Sequence, residues 1–543
     1  MRSTTATLSL LASTVAALRS SGNGELAGAQ PAVAPKRVAI IGAGASGSSA
    51  AYHLAQRAHD AGIPVQIDVF ERASHIGGRS TTVNPWSDPA QAVELGASIF
   101  VEVNQILVNA TKAFNLSVRS SLDLEDTVPE VGIWNGKEVV FTMNEGGWWD
   151  IARLFWRYGY APVKANALMK ETVGKFLRMY ERPVFPWRSL SDVVQLVGLT
   201  EVTGLTGEQY LKNKGIGEKF SNEIIQASTR VNYASNLGTI HGVEAMVCLA
   251  TNGAMSIAGG NWQIFSHMLH SSPSITTHLN TSITHITTHP SHPHTLTTSS
   301  NQTLPFDDII IATPFQFSNL TITPAPHHLP DKIPYVHLHV THFASPLKLS
   351  PSAFGLEPNT PVPQHILTTL QPDESTGPTP HVGRAGFFSI STISTGFNTL
   401  LPSPRPEYIY KIFSPHRIDE GFLSRVLRQT VTNEEAERGV KDGTFQHIYS
   451  FPENSAFHLI AISDSSSRFI HFRNSSPIGC PLGTAVIAIG TACINACAPQ
   501  NPVSKQYVAE RLISTARSTF APSCDGNPLS RSKALLTRIK YAQ

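Results

Sequence analysis

Charge is scarce in this chain. Only 15% of its 543 residues are charged, and 41 Lys and Arg nearly balance 39 Asp and Glu, for a formal net charge of +2. That balance carries no footprint of a polyanion partner, and no basic cluster interleaved with aromatics suggests nucleic acid. No apolar run reaches the ~18 residues of a membrane-spanning helix. Cysteine is sparse too: Cys248, Cys480, Cys493, Cys497 and Cys524. An odd count leaves at least one unpaired within a monomer, and no second pair stands at zinc-ribbon spacing from Cys493 and Cys497. They read as core thiols, or as a disulfide among the C-terminal four. The 22 histidines come closest to ligand spacing at His337, His339 and His342, and at His285, His289, His292 and His294. No acid or Cys completes either set, so no metal site is expected. With 41% hydrophobic residues, the composition is that of a globular enzyme with a large core, long enough for two or three domains.

The N-terminus has one Arg, an apolar stretch at 6–18, and a polar Gly/Ser/Pro-rich segment to Pro35. This pattern resembles a secretory signal peptide with a leader. Sequons at Asn109, Asn115, Asn280, Asn301, Asn319 and Asn474 permit glycosylation in a lumen. The expectation is a vacuolar, lysosomal or extracellular protein.

The most informative stretch is 36–79. A buried apolar strand at 38–41 runs into Gly42-Ala-Gly44-Ala45-Ser46-Gly47. An Ala-rich helical pattern follows to about Ala61, and a second strand over 65–70 ends in Glu71. This is the order of a dinucleotide fold. Gly42 permits the turn, Gly44 lets the backbone approach a pyrophosphate, and Gly47 lets helix and strand pack closely. The helix N-terminus at Ala45, Ser46 and Gly47 then offers unpaired N–H groups to phosphate, and Glu71 is placed to accept from a ribose hydroxyl. Immediately after come Arg72, then Gly77, Gly78 and Arg79. That spacing recurs in flavoproteins of the amine-oxidase and glutathione-reductase-like superfamily, with Arg79 offering fixed donors to the cofactor. FAD is the expected cofactor. No second glycine motif follows a strand, so no separate nicotinamide domain is evident.

Such folds are interrupted. The apolar run at 309–312, leading into Thr313-Pro314, reads as a strand returning to the cofactor edge. Residues 275–289 and 295–302 read as a small meander before it. Residues 484–490, ending in Gly490 just before Thr491, read as a third return. Residues 144–250 read as helical and aromatic: Trp148, Trp149, Phe155, Trp156, Tyr158 and Tyr160 together could wall an apolar channel at a domain junction. The expected class is α/β, an interrupted Rossmann-like FAD domain (36–120, 251–324, 476–543). A helical insertion at 121–250 and a mainly β substrate domain at 325–475 complete it.

On these residues the chain resembles the prenylcysteine oxidase, or farnesylcysteine lyase, family. The matching blocks are 38–47, 67–71, Gly77-Gly78-Arg79, and Glu94-Leu95-Gly96-Ala97-Ser98. The aromatic helices at 150–180, Arg230-Val-Asn-Tyr233, 242–250, 256–261 and 308–314 follow. The resemblance covers about 36–320. It implies that Gly96, Ala97, Ser98 and Thr313 join the FAD site, and that Trp156, Tyr160, Arg230 and Tyr233 face substrate. The implied reaction cleaves an S-prenylated cysteine thioether with FAD and O2. The substrate's sulfur lone pair and allylic double bond stabilise the developing cation, so no Ser-His-Asp or paired-carboxylate set is required, and none stands out. The C-terminus departs from the pattern: Thr491 stands where many flavoproteins place an Asp. An FAD oxidase of another apolar metabolite and a non-catalytic flavoprotein are the alternatives.

Overall fold

The computed structural model describes residues 34–431, apart from 120–128, 145–147, 188, 252, 292, 328, 331, 333–334 and 375–381, and the backbone of three strands beyond. Its first layer is a five-stranded parallel sheet in the order Ala485–Ile487, Asp308–Ile311, Lys36–Ile41, Val65–Phe70, Ile275–His278. The strand that feeds the glycine motif is therefore central. Buried on both faces, it reads as a continuous apolar run rather than an alternating one. Val38 and Ile40 pack with Ala51 and Ala55 of the helix Ala45–Asp60. Ala39 and Ile41 face the opposite way, onto Ile286, Leu296 and Phe306 of a small second sheet.

That second sheet joins Thr303–Phe306, His294–Thr298, Ile283–Thr287 and Thr321–Thr323. The meander expected from residue 275 onward thus begins only at Ile283. Ile275–His278 instead pairs in parallel with Val65–Phe70. It is an edge strand with one buried apolar residue, Ile275, so its sequence lacks the continuous apolar run of the central strands.

The third sheet has seven strands, in the order Gln446–Ser450, His339–Ser345, Arg405–Ser414, Ser389–Asn398, His365–Thr368, Val131–Trp134, Val139–Met143. The last two correct the expectation of a helical segment from 121. They form a hairpin closed by Asn135-Gly136, where Asn135 Oδ1 accepts from the N–H of Lys137 and Glu138, both at 3.0 Å. Asn-Gly between two apolar runs is the sequence signal that marks such a turn.

From 148 onward the insertion is helical, with Trp148–Tyr158, Ala161–Arg178 and shorter helices to Gly242–Val247. These helices share one core with Ile133, Phe141, Val340 and Ile409 of the seven-stranded sheet and with Val83, Val93 and Leu95 of the nucleotide-domain side. The sheet's other face carries Trp134, Ile366, Phe387, Tyr410 and Ile412 under Pro351–Phe354 and Glu420–Leu427. The three-way junction is the place where a ligand can touch all parts. Among the described residues, no helix is long and apolar enough to cross a membrane.

Candidate functional site

The three glycines of the motif serve different purposes. Gly42 has φ +107°, and a Cβ there would lie 2.9 Å from the carbonyl oxygen of Ala312 at the end of the returning strand. A Cβ on Gly47 would overlap the Gly42 carbonyl oxygen. Both positions are glycine because the fold has no room. Gly44 is different: its φ of −77° and ψ of −171° suit any residue, and the nearest atom to a Cβ is Gly78 Cα at 3.9 Å. Nothing in the folded chain requires glycine at 44, so the space it leaves is available to a ligand.

Gly44 forms a parallel bridge with Gly77, whose N–H donates to Ala43 O at 3.0 Å. Gly77 (φ +113°) and Gly78 (φ +60°) bring this second glycine turn against the first. The helix beginning at Ala45 has no side-chain cap and no acid in its first turn. The N–H groups of Ala45, Ser46 and Gly47 thus sit at the helix's positive end, where an anion is stabilised.

Glu71 Oε2 accepts from Ala43 N at 2.9 Å and Oε1 from Ala73 N at 2.8 Å. The carboxylate ties the glycine turn to the turn after the second strand, and each oxygen keeps a lone pair for a further donor. Arg72 beside it is exposed. Arg79 is half-buried; burial lowers its pKa, opposed by the nearby Tyr335 phenol. Thr313 follows the returning strand next to Gly42. Gly490 and Thr491 lie outside the described residues, as do Cys480, Cys493, Cys497, Cys524 and the leader 1–33. The strand just before Gly490 runs parallel beside Asp308–Ile311.

The loop 94–98 is held from two sides. Asn261 donates its backbone N–H to the Glu94 carboxylate and its Nδ2 to Ala97 O at 2.7 Å, while its Oδ1 accepts from Ile257 N at 2.8 Å. From the seven-stranded sheet, Lys411 Nζ donates to Ser98 Oγ at 2.6 Å and to Glu94 O at 3.1 Å. Ser98 Oγ lies 3.1 Å from Gly96 O. Burial pushes Glu94 up to about 7, opposed by the Asn261 N–H and Lys411. It pushes Lys411 down to about 7, opposed by Glu94. Glu94 Oε2 is buried with no partner among the described residues. Lys411 had no place in the sequence reading. Its signal is modest: one charge in the otherwise apolar and aromatic run 408–413.

The expected substrate residues do not gather into one wall. Trp156 is 94% exposed and Tyr160 68%. Tyr233 is half-buried at the end of Gln226–Tyr233, its phenol pushed up by burial. Arg230 is fully buried and staples its helix to the seven-stranded sheet and the segment beside it. Its Nε donates to Thr368 Oγ1 at 3.0 Å, Nη1 to Asn236 Oδ1 at 2.9 Å, and Nη2 to Val382 O at 3.0 Å and Phe387 O at 3.3 Å. With its donors engaged in this way, its role is structural. The helix carrying Trp156 is anchored through its neighbours: Arg157 Nε and Nη2 donate to Glu223 at 2.8 and 3.0 Å, and the Tyr158 hydroxyl at 2.7 Å. Among the described residues no three His, Cys, Asp or Glu side chains are grouped to hold a metal, and Cys248 is a buried free thiol.

Residues 141–447, more than half the chain, match the family model described as prenylcysteine lyase. The chain belongs to the prenylcysteine lyase family. A second model, an NAD(P)-binding Rossmann-like domain, matches residues 40–110. The family member from Arabidopsis thaliana, farnesylcysteine lyase, is 30% identical over 358 residues, 62% of this chain and 69% of that protein. Prenylcysteine oxidase 1 of Mus musculus is 31% identical over 262 residues, 47% of this chain and 49% of that one. The match thus spans about half the length of the mammalian relative. Among solved structures, cyclohexylamine oxidase from Brevibacterium oxydans superposes with a TM-score of 0.46 at 16% identity, over 78% of this chain and 86% of that one.

Proposed function

We infer that this protein is an FAD-dependent oxidase that cleaves the thioether of an S-prenylated cysteine, farnesyl- or geranylgeranylcysteine. O2 and water enter; prenyl aldehyde, cysteine and hydrogen peroxide leave. The observation that carries the reading is the opening at Gly44, which the fold itself does not need, set at an uncompensated helix N-terminus in a chain of this family. Two features fit FAD in particular. The Gly77-Gly78 turn crosses the glycine motif at Gly44, and Glu94 Oε2 is a buried acceptor waiting for a donor.

The N–H groups of Ala45, Ser46 and Gly47 would hold the diphosphate, Glu71 a ribose hydroxyl, and Arg79 would stand by as a fixed cation. Bound FAD would supply the two-electron acceptor that the thioether carbon needs and the site at which O2 is reduced. The protein's share is binding, orientation and exclusion of water at the junction. A prenyl tail buried there would gain roughly 25 cal/mol for each Å² of apolar surface removed from water, so affinity should rise with tail length. Anaerobic farnesylcysteine should bleach the flavin absorbance, and air should restore it with release of peroxide. Bleaching by NADPH alone would overturn the oxidase reading.

We also propose that the mature chain begins between Ser20 and Lys36 and works in a secretory or vacuolar lumen. The apolar stretch at 6–18 and the sequons support this. Asn115, Asn280, Asn301 and Asn319 sit at exposed turns with φ of 51–62°, reachable by a glycosylating enzyme. Asn adopts that conformation readily, which gives these residues a backbone reason as well. Intact-mass measurement of native protein tests the start; a retained segment at 6–18 refutes it.

A further inference from the structure

A buried ammonium among apolar neighbours costs several kcal/mol unless it is well partnered. Lys411 is such a group. In register it stands between His342 and Ser391, on the sheet face that also carries Ile409 and packs against the helices. Its hydrogen-bond partners come from another domain: Ser98 Oγ and Glu94 O, in the loop 94–98. The same loop is gripped by Asn261, at the start of Trp262–His270. Trp262 packs so closely on Gly77 that a Cβ there would lie 2.9 Å from Trp262 Cβ, and Gly77 bridges to Gly44. An unbroken line of contacts therefore runs from the glycine opening through Gly77, Trp262, Asn261 and the loop to Lys411.

We propose that Lys411 is a positioning residue of the cofactor site: it locks the loop 94–98 in the shape that completes the site begun by Gly44 and Gly77. The inference rests on the FAD reading above. The groups facing Lys411 among the described residues are Glu94 across the junction, His342 on one neighbouring strand, and the uncharged Ser391 and Ser98; the Phe413 ring lies 4.8 Å from Nζ. Burial opposes the charged form of both Lys411 and Glu94, so the Lys411 amine depends on Ser98 Oγ and Glu94 O for the hydrogen bonds that water no longer supplies.

The test is release of fluorescent flavin from the diluted holoprotein for wild type, Lys411→Met and Ser98→Ala, paired with thermal midpoints after flavin removal. Lys411→Met should bind flavin about tenfold or more weakly, the worth of one hydrogen bond to a charged group. It also strips the donor from Ser98 Oγ and Glu94 O, so its midpoint with flavin removed should fall. Ser98→Ala, which keeps the bond from Lys411 to Glu94 O, should weaken flavin binding with a smaller fall in that midpoint. Lys411→Met with wild-type affinity overturns the proposal. If that variant does not fold, unchanged affinity in Ser98→Ala overturns it. A wild-type protein that retains no flavin at all sinks the FAD reading itself, and this inference with it.

Discussion

The sharpest consequence of the glycine geometry is that two substitutions three residues apart should fail in opposite ways. Gly44→Ala places a methyl 3.9 Å from its nearest neighbour, on a backbone with φ −77° that alanine adopts freely. Losing glycine's unfolded-state entropy stabilises by about 0.4–1 kcal/mol. Alanine is a worse N-cap than glycine by roughly 0.5–1 kcal/mol, because Gly44 caps the helix. The two terms offset, and the cofactor-free protein should keep its thermal midpoint. The methyl does occupy the space open to the diphosphate. Displacing a phosphate from even one N–H forfeits about 1.5–3 kcal/mol, roughly tenfold to a hundredfold in affinity. Gly47→Ala puts its methyl into the Gly42 carbonyl oxygen, and overpacking of that kind costs about 1–3 kcal/mol or more. The assay is flavin absorbance per mole of purified protein, paired with thermal midpoints after flavin removal. A Gly44→Ala protein that retains flavin undiminished, or a Gly47→Ala protein as stable as wild type, refutes the assignment of space at these positions.

Glu71→Ala should lower the stability of the cofactor-free protein as well as flavin affinity, since it strips acceptors from Ala43 N and Ala73 N; an unchanged midpoint by differential scanning fluorimetry would contradict this. Arg230→Met should cost several kcal/mol, about 1–3 for each buried acceptor left bare among those Arg230 serves. Denaturant titration reads the loss, and a variant within 1 kcal/mol of wild type by that titration would argue for a solvated Arg230. Trp156→Ala should change stability by no more than about 0.5 kcal/mol, as at other exposed positions, and should affect farnesyl and short S-alkyl cysteines alike in steady-state kinetics. A selective loss of the farnesyl substrate would return Trp156 to a channel wall. Glu94 is raised in the fold to about 7, so its contribution is fully present below the ordinary carboxylate range and is lost as pH rises toward 7. Glu94→Gln cannot ionise, so its midpoint should fall less than that of wild type across that window; parallel curves would remove Glu94 from the account.

What was legible in the sequence was what is local. The strand, glycine turn, helix, strand and acid of 36–71 are adjacent, and each residue's task follows from its neighbours within a turn or two. The returning strand Asp308–Ile311 was legible for the same reason, as an apolar run ending in Thr-Pro. The hairpin Val131–Met143 was equally local, but the aromatic helices that follow it masked its Asn-Gly turn. Arg230 and Lys411 mark the limit. Each is a lone cation in an apolar or mixed run, and the chain around Arg230 looks as suited to a ligand as to a staple. Only the tertiary fold brings Thr368 of the seven-stranded sheet, with Val382 and Phe387 of the segment beside it, to one guanidinium and Ser98 to one amine. The family resemblance named the blocks at 94–98 and 256–261 without saying that they touch. Sheet pairing joins residues hundreds of positions apart, and no periodicity within a strand encodes which loop of another domain will lie across its face. The junction was therefore the part of this protein least open to sequence reasoning, and it is there that Lys411 of one sheet meets the loop 94–98.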